Sequence, residues 1–157
     1  MKVTGIIAEY NPMHNGHIYH LNKSKEITNC DFCIAIMSGS FTQNGNIAIY
    51  DKFQRAQIAI KSGIDLVIEL PTIYANSSAD SFAFGAINIL NKLNIVDSIC
   101  FGSECDNISL LNAVSDIFIQ KDKEIWEEIN KHLKDGISFA TARTNALSKY
   151  LSNDQIY

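Results

Sequence analysis

The chain has 157 residues, of which 46% are hydrophobic and 19% charged, with a formal net charge of −4. Such a length and mix fit one globular domain and exclude a disordered chain. No apolar run reaches the ~18 residues of a membrane span, residues 1–7 are too short in their apolar part for a secretory leader, and a cytoplasmic protein without a membrane partner is expected.

Continuous apolar runs without alternation predict strands at residues 3–8, 32–37, 66–70 and 98–101, the pattern of parallel strands covered on both faces. The period between them changes to that of helices. Residues 17–27 are expected to turn Ile18, Leu21 and Ile27 inward, and residues 51–62 to turn Phe53, Ala56, Ala59 and Ile60 inward. Asp51 with Gln54 three residues on resembles a capping box, and Gly63 is a stop. Residues 78–93 carry the stripe Phe82, Ala86, Ile89 and Leu93. Residues 121–133 carry Ile125, Ile129 and Leu133 and end at Asp135-Gly136, and residues 138–150 form a further helix. The order implies an α/β fold, a doubly wound parallel sheet with its first strand central, followed by C-terminal helices. Residues 1–105 are expected to be the ligand-binding core and residues 106–157 a helical continuation of the same domain. Ligands of such sheets lie beyond the carboxyl ends of the strands, here at residues 9–16, 38–50 and 102–106. Residues 152–157 show no evident stop, and the chain is expected to be the front part of a longer protein.

Only two arginines occur, Arg55 and Arg143, so this chain is a poor unaided holder of RNA. A small anion needs less, because backbone N–H groups and a few cations suffice. Cys30 and Cys33 form a C-x-x-C, and Cys100 and Cys105 a C-x4-C. These spacings miss the usual zinc patterns, and the apolar flanks of Cys33 and Cys100 favour small buried hydrophobes over a metal or redox pair.

The chemistry concentrates where the first strand ends. Glu9-Tyr10-Asn11-Pro12-Met13-His14-Asn15-Gly16-His17 turns the chain and opens a helix. A helix N-terminus offers free N–H groups and positive dipole, so a phosphate is favoured there. Gly16 lets the backbone come close to a ligand. His14 and His17, three apart, can both donate hydrogen bonds to charge growing at phosphorus and on a leaving pyrophosphate, with no protein nucleophile. Read without their context, two histidines at a helix start are more simply caps or surface residues. Glu69 and Glu104 read equally well as substrate contacts or as strand-end carboxylates met by nearby N–H groups. His20 reads equally as a third residue on the histidine face or as a solvated helix histidine. Trp126 reads as a core or interface anchor, and His132 as a complement to the helix dipole.

The segment resembles the HxGH nucleotidyltransferases. Further blocks extend the likeness: Gly5-Ile6-Ile7-Ala8-Glu9-Tyr10-Asn11-Pro12, Met37-Ser38-Gly39-Ser40-Phe41-Thr42-Gln43, Asp51-Lys52-Phe53-Gln54-Arg55, Asp65-Leu66-Val67-Ile68-Glu69-Leu70-Pro71 and Phe101-Gly102-Ser103-Glu104. Together they resemble the tRNA(Met) cytidine acetate ligase family, over nearly the whole chain. The resemblance implies activation of acetate by ATP to acetyl-adenylate, then acetylation of the wobble cytidine of elongator tRNA(Met) to N4-acetylcytidine. It implies an ATP cradle formed by Ile7, Ala8, Glu9, Tyr10, Asn11, Pro12, Met13, His14, Asn15, Gly16, His17, Ile18, Tyr19 and His20, with Gly102 near the adenosine. His14 and His17 would grip the phosphates, and Asp51 and Lys52, with residues 38–46, would face acetate or tRNA. Mg2+ is expected wherever ATP phosphates react. Where the family carries Gln-Arg-Gly-Glu, this chain has Gln43-Asn44-Gly45-Asn46, without the arginine that would make a bidentate anion contact. The family's later ATP-contacting Asn and its Ser/Arg phosphate motif would fall after Tyr157. A small-molecule adenylyltransferase of coenzyme assembly and a non-catalytic ATP-binding domain are the alternative readings.

Overall fold

A computed structural model describes residues 1–105 and 107–151. Asp106, the last residue of the third expected ligand segment, and residues 152–157, where the chain shows no stop, lie outside the described residues. The chain divides into two compact units, Met1–Gly102 and Ser103–Tyr157.

The first unit is the sheet. β1 (Val3–Ala8), β2 (Phe32–Ser38), β3 (Leu66–Leu70) and β4 (Ser98–Ile99) lie in the order β3-β2-β1-β4, all parallel, with β1 inside as expected. Helices α1 (Asn15–Thr28), α2 (Lys52–Lys61), α3 (Thr72–Ala75) and α4 (Ala79–Leu93) make the crossovers. Successive side chains of a strand face opposite ways, and β2 shows it. Cys33, Ala35 and Met37 pack with Ile6, Leu21 and Ala59 in one buried cluster, whereas Ile34 and Ile36 pack with Val3, Ala86 and Leu90 in another. Both sheet faces are covered, which is why these strands read as unbroken apolar runs.

Register is fixed at the amino edge. Asp31, Asp65 and Asp97 precede β2, β3 and β4, and each makes a reciprocal clasp on a neighbouring strand. Asp31 donates its N–H to the Lys2 carbonyl (2.8 Å) while its carboxylate accepts from the Lys2 N–H (2.7 Å). Asp65 does the same with Cys33 (2.9 and 2.8 Å), and Asp97 with Val3 (2.9 and 2.8 Å).

Helix ends follow the local chemistry. The Asp51 carboxylate caps α2 by accepting from the N–H groups of Phe53 and Gln54, Ser78 caps α4, and Gly63 follows α2 with φ +108°. The expected inward faces need correction at several positions. Ile27, Phe53 and Ile60 are exposed, Ile18 stands at the border of exposure, and Leu21 and Ala59 are the residues that reach the core. Short helices laid on a small sheet bury a narrower stripe than the periodic pattern suggests. Cys100 is only half-buried, because β4 stops at Ile99 before reaching it. Cys33 is fully buried, and burial pushes its thiol up to about 12.

The second unit contains α5 (Ile108–Lys134) and α6 (Phe139–Leu147), joined around Ile125, Ile129, Ala142 and Ala146. α5 begins thirteen residues before the expected start at 121; its first half carries its own stripe of Leu110, Leu111, Val114, Ile117 and Phe118, and the kink at Lys121 (φ −124°, ψ 23°) puts that stripe out of phase with the second half. Leu133 and Trp126 are partly exposed rather than core, and Trp126 lies 6.1 Å from the Phe139 ring. His132 stands in the last turn of α5 beside Lys131 and Lys134, 3.4 Å from the Glu128 carboxylate.

Gly85 of α4 touches α3. A Cβ there would stand 2.6 Å from the Tyr74 Cβ, which cannot swing away. Gly85→Ala is expected to destabilise by about 1–3 kcal/mol through overpacking. Gly102→Ala, with no atom within 4 Å of the added carbon, should stay within about 0.5 kcal/mol of the parent. Urea unfolding of the two variants checks the contrast.

Candidate functional site

The site forms where β1 ends. Tyr10 adopts a left-handed backbone (φ 50°), and the Asn11–Pro12 bond is cis. The turn sends the Tyr10 ring into the core, 1% exposed, where it meets the His17 ring edge-on at 5.1 Å between centroids. His14 then caps α1 in place of a Ser or Asp. Its Nδ1 accepts from the Gly16 N–H (3.1 Å), and the Nδ1 of His17 accepts from the His14 N–H (3.3 Å). The two rings stack at 3.8 Å with 30° between planes.

This arrangement sets the tautomers. A neutral imidazole whose Nδ1 accepts must carry its proton on Nε2. Both rings therefore keep an Nε2–H free to donate, at the start of α1 where the helix dipole is positive. The edge so formed suits an anion, and α1 has no acidic residue in its first turn to oppose one. Gly16 serves His14 directly, since a Cβ there would lie 3.0 Å from the His14 Cε1. Burial, then His14 and His20, lower the His17 pKa from its usual 6.5. Burial lowers that of His20 as well. The buried Nε2 of His20 has no partner among the described residues, so the reading of it as a solvated histidine is corrected. The Tyr10 hydroxyl is likewise unpartnered, and burial pushes its pKa up to about 12.

A second wall comes from residues 38–50. They fold into a hairpin-like loop with Phe41 bridged to Ile47, Thr42 N–H to the Asn46 carbonyl (2.9 Å), and Gly45 turning with φ +79°. Two side chains of the turn hold it. The Glu9 carboxylate accepts from the Gln43 N–H (3.1 Å), and the Asn11 amide oxygen accepts from the Ile49 N–H (2.8 Å). Asn44 and Asn46 stand exposed at its tip.

Arg55, 1% exposed on α2, ties these parts together. Its guanidinium donates to the carbonyls of Tyr50 (3.1 Å), Glu9 (2.6 Å) and Gly39. Burial lowers its pKa, and Glu9, Asp51 and Glu69 pull it back up. Beside it, Lys52 pairs with Glu69 at 2.6 Å, and a Cβ on Gly39 would collide with the Glu69 carboxylate.

The structure thus brings Glu9, Asn11, His14, Gly16 and His17 into one turn at the carboxyl edge. Ile7 and Ala8 are half-buried in β1, and Met13 packs against the core. Pro12, Asn15 and Tyr19 are exposed, with Ile18 at the border. Gly102 faces open space after β4. Asp51 is engaged as the cap of α2, and Lys52 with Glu69. Glu104 is exposed. The sequence does not mark Arg55 as a site residue, although it lies in the Asp51–Arg55 block that carries the family resemblance; its burial rests on partners 5, 16 and 46 residues away. No described helix is long and apolar enough to cross a membrane.

A parallel α/β sheet with an imidazole-capped helix at its carboxyl edge defines a nucleotide-handling class, and the comparisons agree. The chain belongs to the HIGH nucleotidyl transferase family, whose model matches residues 1–156. Within that class it is 52% identical, over 98% of its length, to the tRNA(Met) cytidine acetate ligase of Clostridium perfringens, of which it covers 38%. To that of a Thermoanaerobacter species it is 51% identical over 99% of its length, covering 39% of that protein. The crystal structure of Thermotoga maritima TmcAL bound with alpha-thio ATP superposes with a TM-score of 0.89 at 45% identity, over 96% of this chain and 36% of that one. The chain spans about two fifths of the length of the curated relatives it matches.

His17 resists protonation in the folded state, so its folded pKa lies below the unfolded value of 6.5. The unfolded chain binds the proton first as pH falls, and stability present above that value is lost on going down through the folded pKa. Thermal melts between pH 8 and about 5 are expected to fall below pH 6.5, with a shallower fall in His17→Gln. A variant with the parent's full pH dependence would show that the loss arises elsewhere.

Proposed function

We propose that this chain binds ATP at the turn between β1 and α1, and that the protein it represents activates acetate as acetyl-adenylate and transfers the acetyl group to the wobble cytidine of elongator tRNA(Met). The observation that carries the reading is the double Nδ1 anchoring of His14 and His17 at the start of α1, which leaves two N–H donors ready for phosphate oxygens. The similarity to the acetate ligases and to a structure bound with alpha-thio ATP supports it. Residues 1–105 act as the nucleotide core, and residues 106–157 continue the same domain.

In this reading an acetate oxygen attacks the α-phosphorus and pyrophosphate leaves, forming acetyl-adenylate. The cytidine N4 then attacks the acetyl carbonyl, AMP departs, and N4 loses a proton. His14 and His17 donate to oxygens whose charge grows as the phosphoanhydride breaks, so they favour the transition state over bound ATP. Gly102, with open space around it, lies at the adenosine side. Lys52 meets acetate or tRNA, its pairing with Glu69 fixing its position. Among the described residues no group of three or more His, Cys, Asp or Glu side chains is placed to hold a metal. Mg2+ enters this reading only as the companion of the ATP phosphates, where it neutralises charge, and no residue here is assigned to it.

In the full-length protein, His17→Ala is expected to lower acetate-dependent pyrophosphate release at saturating ATP by roughly 10²-fold, the scale of losing one preorganised donor, with a smaller change in ATP affinity. A folded variant with parental turnover, checked by thermal melt, would sink the assignment. This chain alone, at net charge −4, should bind tRNA no tighter than about 10⁻⁶ M at physiological salt and with steep salt dependence. A tight complex in a gel shift at that salt would place the RNA surface on this chain.

A further inference from the structure

Arg55 is the only charged residue among the described residues that are buried. Among the described residues it makes no salt bridge; its hydrogen bonds run to the backbone carbonyls of Glu9, Gly39 and Tyr50. The carboxylates of Glu9, Asp51 and Glu69 lie near enough to act on its charge. Each of them is occupied elsewhere: Glu9 on the Gln43 N–H, Asp51 on the first turn of α2, and Glu69 on Lys52. The carboxyl edge therefore gathers three carboxylates and the carbonyl oxygens that end β1 and β2. All of these repel a polyphosphate. Arg55 and Lys52 are the cations set among them, and Arg55 is the one that solvent does not screen. An arginine stays charged even when buried.

We propose that Arg55 is a positioning residue of the nucleotide site: its unscreened charge offsets the carbonyl oxygens and carboxylates at the carboxyl edge, so that a polyphosphate is accepted at the start of α1. This inference rests on the ATP reading above. Arg55 does not touch the nucleotide. It acts through Glu9, whose carbonyl it binds and whose carboxylate latches the loop at Gln43, and through the field it sets at the turn.

The two roles of Arg55, holding the backbone and supplying charge, separate when ATP is compared with adenosine. Loss of a scaffold weakens both ligands alike, whereas loss of charge weakens only the anion. Calorimetry on this chain would give affinities of both ligands for the parent, Arg55→Gln and Arg55→Lys, with folding checked by thermal melt. Arg55→Gln keeps amide donors and no charge, and its ATP-to-adenosine affinity ratio is expected to fall roughly tenfold or more. Arg55→Lys keeps the charge while giving up the three-carbonyl fork, and its ratio should stay within about threefold of the parent. Glu69→Gln removes one of the opposing carboxylates and leaves Arg55 in place, so its ratio should rise. If Arg55→Gln does not fold, the lysine and Glu69 variants carry the test. A parental ratio in a folded Arg55→Gln, a tenfold fall in Arg55→Lys, or no rise in Glu69→Gln overturns the inference. A parent that binds neither ligand overturns the ATP reading itself, and this inference falls with it; a parent that binds both, with a ratio indifferent to these changes, overturns this inference alone.

Discussion

A single buried guanidinium holds the carboxyl edge of this sheet together. Taking a charge out of water costs several kcal/mol unless hydrogen bonds replace the lost hydration, and Arg55 finds them in three carbonyls from three segments of chain. Glu9 follows β1, Gly39 follows β2, and Tyr50 precedes α2. None of the three carbonyls lies inside a strand ladder or a helix, so the side chain satisfies groups that regular structure leaves over. The constraint runs both ways. The loop needs Arg55 for its carbonyls, and Arg55 needs the loop closed over it to make its own burial tolerable. The Glu9 and Asn11 latches add to the same joint from the other side.

The capping role of the two histidines leaves a donor on each ring unspent. An imidazole has two nitrogens, and this turn uses them differently. Nδ1 of each ring takes a backbone N–H: His14 does for α1 the work that Ser78 does for α4 through its hydroxyl, and His17 reaches back to the N–H of the cap itself. A serine or aspartate cap would finish α1 equally well and would leave no N–H donor behind. The stacking of the rings and the edge of Tyr10 against His17 restrict rotation of both. The tautomer is thereby fixed by the backbone before any ligand arrives, which is what preorganisation requires.

Much of the fold was legible in the sequence, because strands buried on both faces leave continuous apolar runs and β1 to β4 were each found within a few residues. The family likeness was legible for the same kind of reason, since glycines and histidines at fixed offsets reflect close backbone geometry. Helix faces were less legible. Ile27 and Phe53 satisfy a helical period yet remain exposed, because period reports where a residue points and not whether a neighbour reaches it. The first half of α5 carries Leu110, Leu111, Val114, Ile117 and Phe118 on one face at helical spacing, but the kink at Lys121 breaks the phase between the two halves, so the stripe that starts at 121 does not lead back to them. Among site residues, the turn was visible and its supports were not. That Glu9 and Asn11 point to the loop, and that Arg55 lies beneath it, depends on contacts 34 to 46 residues apart. No local pattern records those.

The clasps made by Asp31, Asp65 and Asp97 bear on how such a chain can change over time. Each strand of a parallel sheet is aligned with its neighbour at its first residue, by two hydrogen bonds that a one-residue slip would break. Alignment is therefore settled at the end of the sheet opposite the histidines. Insertions and deletions in the loops beyond the carboxyl ends leave those clasps, and hence the strand offsets, untouched. Loop length at the edge that bears the histidines is therefore limited by the Arg55 joint and not by the strand ladder, which the other edge keeps in phase.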